Sequence, residues 1–242
     1  MSLQATIDQI AQRHSNPLYE PWTCSACHQP QPSDDQIDGM CLDCCIAMRD
    51  KQLPLTLQDT VRIPRKFASQ DWTLPAWAEP YLHAKADRGL CLTGGAGVGK
   101  TVTLCLLARN YLRAQIAEGI NPQTVHVWRF LSFPAFVMEL QDAWRRDGEQ
   151  TAWDLLKQAA QTPRLIVDDL GAEKLTDYIR QATYYLLNER EQWEKPTYLT
   201  TNFSLAELDR QFDSRISSRI AGMCDLVALQ GKDRRLGIAK HA

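Results

Sequence analysis

The chain has 242 residues, of which 44% are hydrophobic, 23% are charged and 8% are aromatic, and its formal net charge is −2. This composition is typical of a globular protein and excludes a disordered chain, a collagen-like repeat and a coiled-coil rod. Apolar runs stay shorter than the roughly 18 residues that a membrane-spanning helix needs. The first residues, MSLQATIDQIAQRHSN, lack the pattern of a secretory signal. The sequence therefore predicts a cytoplasmic protein that has no membrane partner.

Four cysteines near the start of the chain have the spacing of a structural zinc site. Two C-x-x-C pairs, Cys24 with Cys27 and Cys41 with Cys44, are separated by thirteen residues. Each C-x-x-C turn places two sulfurs within reach of one ion, and four thiolate ligands leave no open position for catalysis. Too few apolar residues gather in residues 1–50 to build a core unaided, so we expect zinc binding to provide the folding energy of this segment.

The ligand set around these pairs has alternatives. His28 and Cys45 adjoin the pairs, and either is able to replace one of the four cysteines. Unligated thiols are a second alternative, and a redox-active C-x-x-C pair is a third, although the thioredoxin-like βαβ pattern is missing. The other three cysteines lie in apolar sequence and are predicted to be buried; they are Cys91, Cys105 and Cys224.

We expect three parts in the chain: a zinc-binding module at residues 1–50, a linker at 51–88 that packs on the core, and a nucleotide-binding domain at 89–242. The linker contains four prolines, of which Pro54 is the first, and they predict that it resists a continuous helix. Acidic residues prevail in the first quarter of the chain and basic residues near its end. This asymmetry is typical of a protein with a different partner at each end, although solvated surface is an equal alternative.

From Arg88 onward, short apolar runs alternate with longer helical patterns. This alternation predicts an α/β fold in which a parallel five-stranded sheet is flanked by helices. The predicted strands are Leu90–Thr93, Thr124–Phe130, Arg164–Val167, Thr197–Thr200 and Leu226–Leu229. The predicted helices lie near 100–117, 133–146, 151–160, 177–194 and 204–221.

A G-x-x-x-x-G-K-T motif, the phosphate loop of P-loop nucleotide-binding proteins, follows the first of these strands and opens a helix. Its glycines let backbone N–H groups curl around phosphate oxygens, and the helix N-terminus favours negative charge. We expect Lys100 to reach the β- and γ-phosphates of ATP and the Thr101 hydroxyl to bind Mg²⁺. A chance glycine turn is the alternative. The predicted ATP-binding residues are Gly94, Gly95, Ala96, Gly97, Val98, Gly99, Lys100 and Thr101.

Two aspartates are expected to complete the magnesium site. Asp168 and Asp169 follow directly after the predicted strand Arg164–Val167. In P-loop proteins a carboxylate at the end of another strand holds the metal, so we expect Asp168 to bind Mg²⁺ and Asp169 to polarise the attacking water. The alternative is an Asp pair that caps a helix or a turn.

The segments GGAGVGKT, LIVDDLGAEKLTDYIRQATYYLLNEREQ, TYLTTNFSLAELD and RISSRIAG occur in that order. Together they resemble the AAA+ ATPases of the DnaC/DnaI group of replicative helicase loaders and their relatives, the IstB-type transposition helpers. The resemblance implies that Asn202 is sensor 1, the polar group beside the γ-phosphate. It also implies that Arg219 is an arginine finger that reaches the nucleotide of a neighbouring subunit, with Arg215 as a second candidate.

The resemblance also implies a function. Members of this group load a hexameric replicative helicase onto single-stranded DNA during replication initiation, and they associate with one another through their ATP sites. A zinc-bearing front module resembles the DnaI type, which implies that residues 1–50 dock on the helicase. Loaders often have Asp-Glu where this chain has Asp168-Asp169, which implies slow ATP hydrolysis that DNA or a partner stimulates. Arg234 and Arg235 are further candidates for nucleotide sensing.

The helix predicted at 133–146 ends in Trp144, Arg145 and Arg146, and in related loaders this region faces single-stranded DNA. An aromatic ring with adjacent cations suits stacking on DNA bases without sequence preference. The alternative is a tryptophan in the core beside arginines on a solvated helix end.

Two rival functions share the ATPase motifs. A transposition helper of the IstB type serves a transposase, and the acidic zinc-bearing front end favours the loader over it. A zinc-containing adaptor that binds ATP with little turnover is the second rival, which single-turnover hydrolysis with and without single-stranded DNA distinguishes. The sequence therefore predicts a helicase-loading ATPase with ATP, Mg²⁺ and Zn²⁺ as its cofactors.

Overall fold

The computed structural model describes residues 22–31, 39–69, 72–82, 88–118, 128–146, 149–172 and 176–234. The chain divides into two compact units. One comprises Met1–Leu53 and Arg113–Asn121, and the other comprises Pro54–Leu112 and Pro122–Ala242. No helix in the described part of the chain is long and apolar enough to cross a membrane.

The first unit contains a short hairpin and the start of a long helix. Strands β1 (Trp22–Thr23) and β2 (Pro30–Gln31) pair in antiparallel orientation. Helix α1 (Leu42–Asp59) begins in this unit and ends in the other. As predicted, residues 51–88 do not form one continuous helix, because α1 ends at Asp59, although Pro54 itself lies inside α1.

Burial explains why α1 tolerates its proline. A proline inside a helix removes one backbone hydrogen bond and is unfavourable by about 3 kcal/mol. Leu53 and Leu57 are each 1% exposed, and full burial of a leucine side chain contributes about 1.5–3 kcal/mol. The two leucines therefore offset the cost of Pro54. The predicted boundary at residue 50 falls within this helix, and the predicted division of the chain into domains stays a prediction.

The main sheet and its helices make up most of the second unit. In chain order the strands are β3 (Gly89–Thr93), β4 (Trp128–Ser132), β5 (Arg164–Asp168), β6 (Thr197–Thr200) and β7 (Cys224–Ala228). The helices are α2 (Arg65–Ala68), a 3-10 helix (Ala76–Leu82), α3 (Lys100–Ala117), α4 (Phe133–Arg146), α5 (Glu149–Gln161), α6 (Asp177–Gln192), α7 (Leu205–Gln211) and α8 (Ser214–Met223).

The sheet is parallel throughout, with the strand order β4-β5-β6-β3-β7. This confirms the predicted α/β fold with a five-stranded sheet. Strands β5 and β6 are buried along their whole length, as expected for strands covered on both faces. Because parallel strands present their carboxyl ends at one edge of a sheet, the segments after β3, β5, β6 and β7 meet there.

Strands β3 and β5 are each one residue longer than predicted, and β4 and β7 each have a bound that differs by two residues or more. Strand β4 continues to Ser132, and β7 begins at Cys224 and ends at Ala228. Residues 124–127, predicted as the start of β4, lie outside the described residues. The shift of β7 follows from its pairing with β3, which places Cys224 opposite Gly89.

The single helix predicted at 204–221 is wrong, because the chain forms two helices there. Ser204 starts α7 with a capping box, and α7 ends before the buried Phe212. Asp213 then accepts a hydrogen bond from the backbone N–H of Arg215 and so starts α8. Aspartate at an N-cap stabilises a new helix start, which the apolar periodicity of the segment does not reveal.

A buried arginine on α6 forms hydrogen bonds with the end of α5 and with the amino ends of β5 and β6. Arg190 on α6 is 0% exposed, and burial lowers the pKa of its guanidinium to about 9. Carbonyl groups at the end of α5 stabilise this cation, as expected at a helix C-terminus. Its N–H groups donate hydrogen bonds to the carbonyl oxygens of Ala159, Ala160, Thr162, Pro163 and Pro196 and to the hydroxyl of Thr197.

Replacement of this arginine tests its contribution to the fold. Arg190→Lys leaves three donors in place of five, so buried carbonyl oxygens lose their partners, and we expect the free energy of unfolding to fall by about 2–4 kcal/mol. Urea denaturation of the full chain measures this change. Arg146→Lys is the control, since Arg146 forms an exposed ion pair with Asp142 and its replacement is expected to change stability by less than about 0.5 kcal/mol. Equal losses in the two variants would contradict the assignment.

Candidate functional site

The phosphate loop runs from Gly94 to Gly99, between the end of β3 and the start of α3. Three of its glycines have a positive φ angle: 133° at Gly94, 72° at Gly97 and 108° at Gly99. Side chains disfavour this region of backbone conformation, and glycine does not. Gly94 also approaches the segment after β7, since a Cβ atom there would lie 2.2 Å from the carbonyl oxygen of Leu229. The loop conformation therefore depends on the glycines of the motif.

Lys100, the first residue of α3, contacts both the phosphate loop and the predicted sensor residue Asn202. Its side-chain nitrogen donates hydrogen bonds to the carbonyl oxygens of Gly94 at 2.7 Å and Gly95 at 2.8 Å. It also donates to Oδ1 of Asn202 at 2.8 Å. Asn202 follows β6, the parallel neighbour of β3, so the two carboxyl ends bring the lysine and the amide together. The structure thus places the predicted sensor residue beside the phosphate loop.

The two predicted magnesium ligands are in direct contact. The Thr101 hydroxyl donates a hydrogen bond to Oδ1 of Asp168 at 2.7 Å, and the Thr200 hydroxyl donates to the same oxygen at 2.7 Å. Asp168 is 8% exposed, and burial raises the pKa of its carboxyl group despite the opposing effect of the two hydroxyls. Hydroxyl and carboxylate oxygens are the hard ligands that Mg²⁺ takes in proteins. The donor set therefore fits Mg²⁺.

Asp169, the residue predicted to polarise water, occupies the turn after β5. Its φ angle is 58°, in the left-handed region that few residues other than glycine adopt. Its backbone N–H donates a hydrogen bond to Oγ1 of Thr200 at 2.8 Å. The conformation of Asp169 is therefore set by a contact with β6.

The segment after β7 lies on the phosphate loop. The backbone N–H of Leu229 donates to the carbonyl oxygen of Thr93 at 2.8 Å, and that of Arg234 donates to the carbonyl oxygen of Gly97 at 3.1 Å. A Cβ atom on Gly97 would lie 1.7 Å from Oδ1 of Asp233. Because this carboxylate touches a loop that attracts phosphate, we expect Asp233 to move aside when nucleotide binds.

Sequence reasoning missed Asp233, whose only signal is its position shortly after β7, the strand that pairs with β3. Arg234, a candidate for nucleotide sensing, has Nη1 3.7 Å from the position of a Cβ atom on Gly99. This places Arg234 beside the loop. Arg235 lies outside the described residues.

Both candidate arginine fingers on α8 pair with residues of their own chain. Arg219 donates hydrogen bonds to Glu191 and, at 3.4 Å, to the hydroxyl of Tyr184. Arg215 pairs with Asp213 at 2.6 Å. The two guanidinium groups lie over the ring of Tyr184, at 4.9 Å for Arg215 and 5.8 Å for Arg219. Sequence reasoning missed Glu191, the carboxylate that holds Arg219.

The four predicted zinc ligands converge in the first unit. The sulfurs of Cys24, Cys27, Cys41 and Cys44 all lie within 4.8 Å of one another, and those of Cys27 and Cys41 are 3.9 Å apart. Four sulfurs bound tetrahedrally to zinc at 2.3 Å are about 3.8 Å apart. The backbone N–H groups of Cys27 and Cys41 donate to the sulfur of Cys24 and lower its pKa to about 6, whereas the nearby sulfur of Cys41 raises the pKa of Cys44 to about 12. The cluster therefore fits a zinc ion bound by thiolates.

The backbone of each alternative ligand, His28 and Cys45, is hydrogen-bonded to the backbone of a predicted zinc ligand. His28 has a φ angle of 57°, and its backbone N–H donates to the carbonyl oxygen of Cys24 at 2.9 Å. Cys45 is buried, and its backbone N–H donates to the carbonyl oxygen of Cys41 at 2.9 Å. Among the described residues, the group of side chains close enough to share a metal ion consists of the four predicted cysteines.

The candidate DNA contact at the end of α4 adjoins an aromatic groove. Trp144 is 47% exposed and packs on Tyr178 of α6, with 5.3 Å between the ring centroids. Trp153 of α5 packs on Tyr185 of α6 at 4.5 Å. These four rings line a cavity of about 260 Å³. We define them as the aromatic groove; of its rings, sequence reasoning identified only Trp144.

The two arginines beside Trp144 are solvent-exposed. Arg146 pairs with Asp142 one helical turn earlier, at 2.7 Å, and Arg145 is exposed. A further cation, Lys157, lies 5.2 Å from the ring centroid of Trp153. The alternative of a tryptophan in the core is not what the structure shows, because nearly half of the Trp144 surface is exposed.

Known proteins are similar to this chain in sequence and in fold. The family described as "IstB-like ATP binding protein" matches residues 81–242. The replicative helicase loader DnaI of Bacillus subtilis (strain 168) is 30% identical over 168 residues, which cover 64% of this chain and 50% of that relative. The chain thus spans half the length of this curated relative.

Two solved loader structures are similar to this one. The crystal structure of the DnaC helicase loader has a TM-score of 0.51 and 26% identity, and the match covers 64% of this chain and 86% of that one. The crystal structure of DnaI has a TM-score of 0.57 and 23% identity, with 69% and 95% covered. These matches confirm the AAA+ fold and the resemblance to the DnaC/DnaI group.

The cysteine cluster yields a direct test. We expect about one zinc ion per chain, bound by four sulfurs, when the full chain is purified without chelator and its metal content is measured by elemental analysis. Cys24→Ser removes one ligand and is expected to lose most of the zinc. Cys45→Ala is the control and is expected to keep it. Absence of zinc from the wild-type chain, or loss of zinc from the control alone, would contradict the ligand set.

Proposed function

We propose that this chain, which belongs to the family of IstB-like ATP-binding proteins, is an ATP-dependent loader of a hexameric replicative helicase onto single-stranded DNA during replication initiation. The observation that carries the proposal is the convergence of Lys100, Asn202, Thr101 and Asp168 at one edge of the sheet. The 30% identity to a protein named as a replicative helicase loader supports the proposed role of that site.

The reaction that this site supports is hydrolysis of ATP. Water attacks the γ-phosphorus, and ADP and phosphate leave. Lys100 exchanges the carbonyl oxygens of its own loop for the β- and γ-phosphates, while Asn202 remains beside the γ-phosphate. Thr101 and Asp168 would hold Mg²⁺, which would supply positive charge against the phosphates. Asp169 accepts a hydrogen bond from the attacking water and orients it.

Self-association completes the proposed site. Arg219 leaves Glu191 and Tyr184 and reaches the γ-phosphate bound by a neighbouring copy, where an arginine stabilises the charge of the transition state. Arg215, whose partner is the adjacent Asp213, is the second candidate for this role. Because Arg219 is paired in the single chain, hydrolysis is slow until neighbours, DNA or the helicase favour the exchange.

The aromatic groove is the proposed contact with single-stranded DNA. Exposed aromatic rings stack on bases of any sequence, and nearby cations contact the phosphates. Trp144 supplies an exposed ring, and Arg145 and Arg146 supply charge at the end of the same helix. This arrangement suits a loader, which holds DNA independently of its sequence.

The zinc-binding module is the proposed docking site for the helicase. In the proposed organisation it comprises residues 1–50, a linker covers 51–88, and the AAA+ domain covers 89–242. The chain acts in the cytoplasm, where the replicative helicase and its DNA are found. The family match begins at residue 81, so the cysteine cluster lies outside the part that IstB-like proteins share.

The family match itself supports a second candidate function. All the AAA+ site residues lie within the matched residues 81–242, which fits a transposition helper ATPase of the IstB type as well. An adaptor that binds ATP with little turnover is a third candidate, because Asp169 stands where many loaders have glutamate. Binding of a transposase in place of the helicase, or ATP binding without turnover, identifies these alternatives.

A loading assay tests the proposal. The full chain, the replicative helicase of the same cell and single-stranded DNA coated with its binding protein are mixed, and helicase bound to DNA is measured. We expect loading with ATP and little loading without it. Arg219→Ala is expected to reduce loading and ATP turnover by at least about tenfold, since an arginine finger contributes 10³–10⁵ in rate.

Arg210→Ala serves as the matched control, because Arg210 is an exposed arginine on α7 whose side chain donates to the carbonyl oxygen of Ala206 in its own helix. It is expected to load like the wild type. If loading is the same with and without ATP, or if Arg219→Ala equals Arg210→Ala, the proposed mechanism is wrong.

A further inference from the structure

Thr200 has a fully buried hydroxyl between the carboxylate of Asp168 and the backbone N–H of Asp169. It is the last residue of β6 and is 0% exposed. Its Oγ1 lies 2.7 Å from Oδ1 of Asp168 and 2.8 Å from the backbone nitrogen of Asp169. No motif in the sequence singles it out.

The direction of these two hydrogen bonds is fixed. The backbone N–H of Asp169 has only a hydrogen to offer, so Oγ1 of Thr200 accepts there. The single hydrogen of the hydroxyl is then left for Asp168, whose carboxylate oxygen accepts it. One hydroxyl therefore orders the side chain of Asp168 and the backbone of Asp169 at the same time.

The backbone of Asp169 needs such support. Its φ angle of 58° lies in the left-handed region, which costs a residue with a side chain about 1 kcal/mol or more. The next residue is held as well, because the N–H of Leu170 donates to the carbonyl oxygen of Thr200 at 2.8 Å. The side chain and the backbone of Thr200 thus hold two successive residues of the turn.

The contact with Asp168 complements that of Thr101. Both hydroxyls donate to Oδ1 of Asp168. In the proposed reaction Thr101 is also a ligand of Mg²⁺. Thr200 is 0% exposed, so it does not contact solvent or substrate. Thr200 is therefore the donor that holds Asp168 in place throughout the cycle.

We propose that Thr200 is a positioning residue of the ATPase site. Its hydroxyl orients the carboxylate of Asp168 toward the proposed Mg²⁺ position. It also holds the backbone of Asp169 in the conformation in which Asp169 orients the attacking water. The proposal rests on the proposed ATPase function. Other buried threonines of the sheet make different contacts. The hydroxyl of Thr197 donates to the carbonyl oxygen of Lys195 and accepts from Arg190, far from the carboxylates at the opposite end of β6.

This difference supplies a matched control. Thr200→Val and Thr197→Val each remove one donated and one accepted hydrogen bond from a fully buried hydroxyl of the same strand, with almost no change in volume. A purely structural role predicts that both variants lose stability and behave alike at the nucleotide site. A positioning role predicts a difference in the magnesium dependence of nucleotide binding.

Binding of a fluorescent ATP analogue to the full chain is titrated with Mg²⁺ and, separately, in excess chelator. For Thr200→Val we expect the Mg²⁺ concentration at half-saturation to rise about tenfold or more, as when a group that orients a metal ligand is removed. Affinity in chelator stays within about twofold of the wild type, and kcat falls while KM changes little. Thr200→Ser keeps the hydroxyl and is expected to restore both quantities to within about threefold.

Thr200→Ala is measured in parallel, so that loss of folding in one variant leaves the other to be compared. Equal magnesium dependence and kcat in the Thr200 variants and in Thr197→Val would overturn the proposal. A wild-type chain that binds the analogue without any effect of Mg²⁺ would instead refute the proposed ATPase site itself, before any variant is compared.

Discussion

Parallel pairing of β6 with both β3 and β5 is the constraint on which the nucleotide site depends. Where β3 and β6 end, the backbone N–H of Thr201 donates to the carbonyl oxygen of Leu92 at 3.0 Å, and this register brings Lys100 and Asn202 together. On its other side β6 pairs with β5, so that Thr200 reaches Asp168. One buried strand in the middle of the sheet therefore aligns Lys100, Asn202 and Asp168, for which we propose contact with phosphate, the sensor role and the metal side.

The parts of the fold and site that sequence analysis predicted are those with a local signal. Strands buried on both faces are continuous apolar runs, and the glycine pattern of the phosphate loop reports its own backbone angles. The rule that parallel strands end at one edge then predicts that Asp168 lies near Lys100, whereas the place of Asn202 is implied by the resemblance to the loader group. The spacing of the cysteine pairs is a local signal of the same kind, and their four sulfurs do converge.

The parts that it did not predict depend on contacts between residues far apart in the chain. A proline normally ends a helix, yet Pro54 lies inside one because the leucines around it are buried. No periodicity shows that Asp233 lies on Gly97 or that Glu191 holds Arg219. Tertiary contacts decide such pairings, and they leave no local pattern in the sequence.

The central claim is that the phosphate loop binds ATP with Mg²⁺ through the ammonium of Lys100, which its own loop and Asn202 hold before binding. Isothermal titration calorimetry of the full chain with ATP, with and without Mg²⁺, tests this directly. Lys51→Ala, which removes an exposed lysine of α1, is the control. The account predicts Mg²⁺-dependent binding by the wild type and the control, and binding by Lys100→Ala at least about tenfold weaker, a difference of 1.4 kcal/mol or more. Undiminished ATP affinity in Lys100→Ala would contradict it.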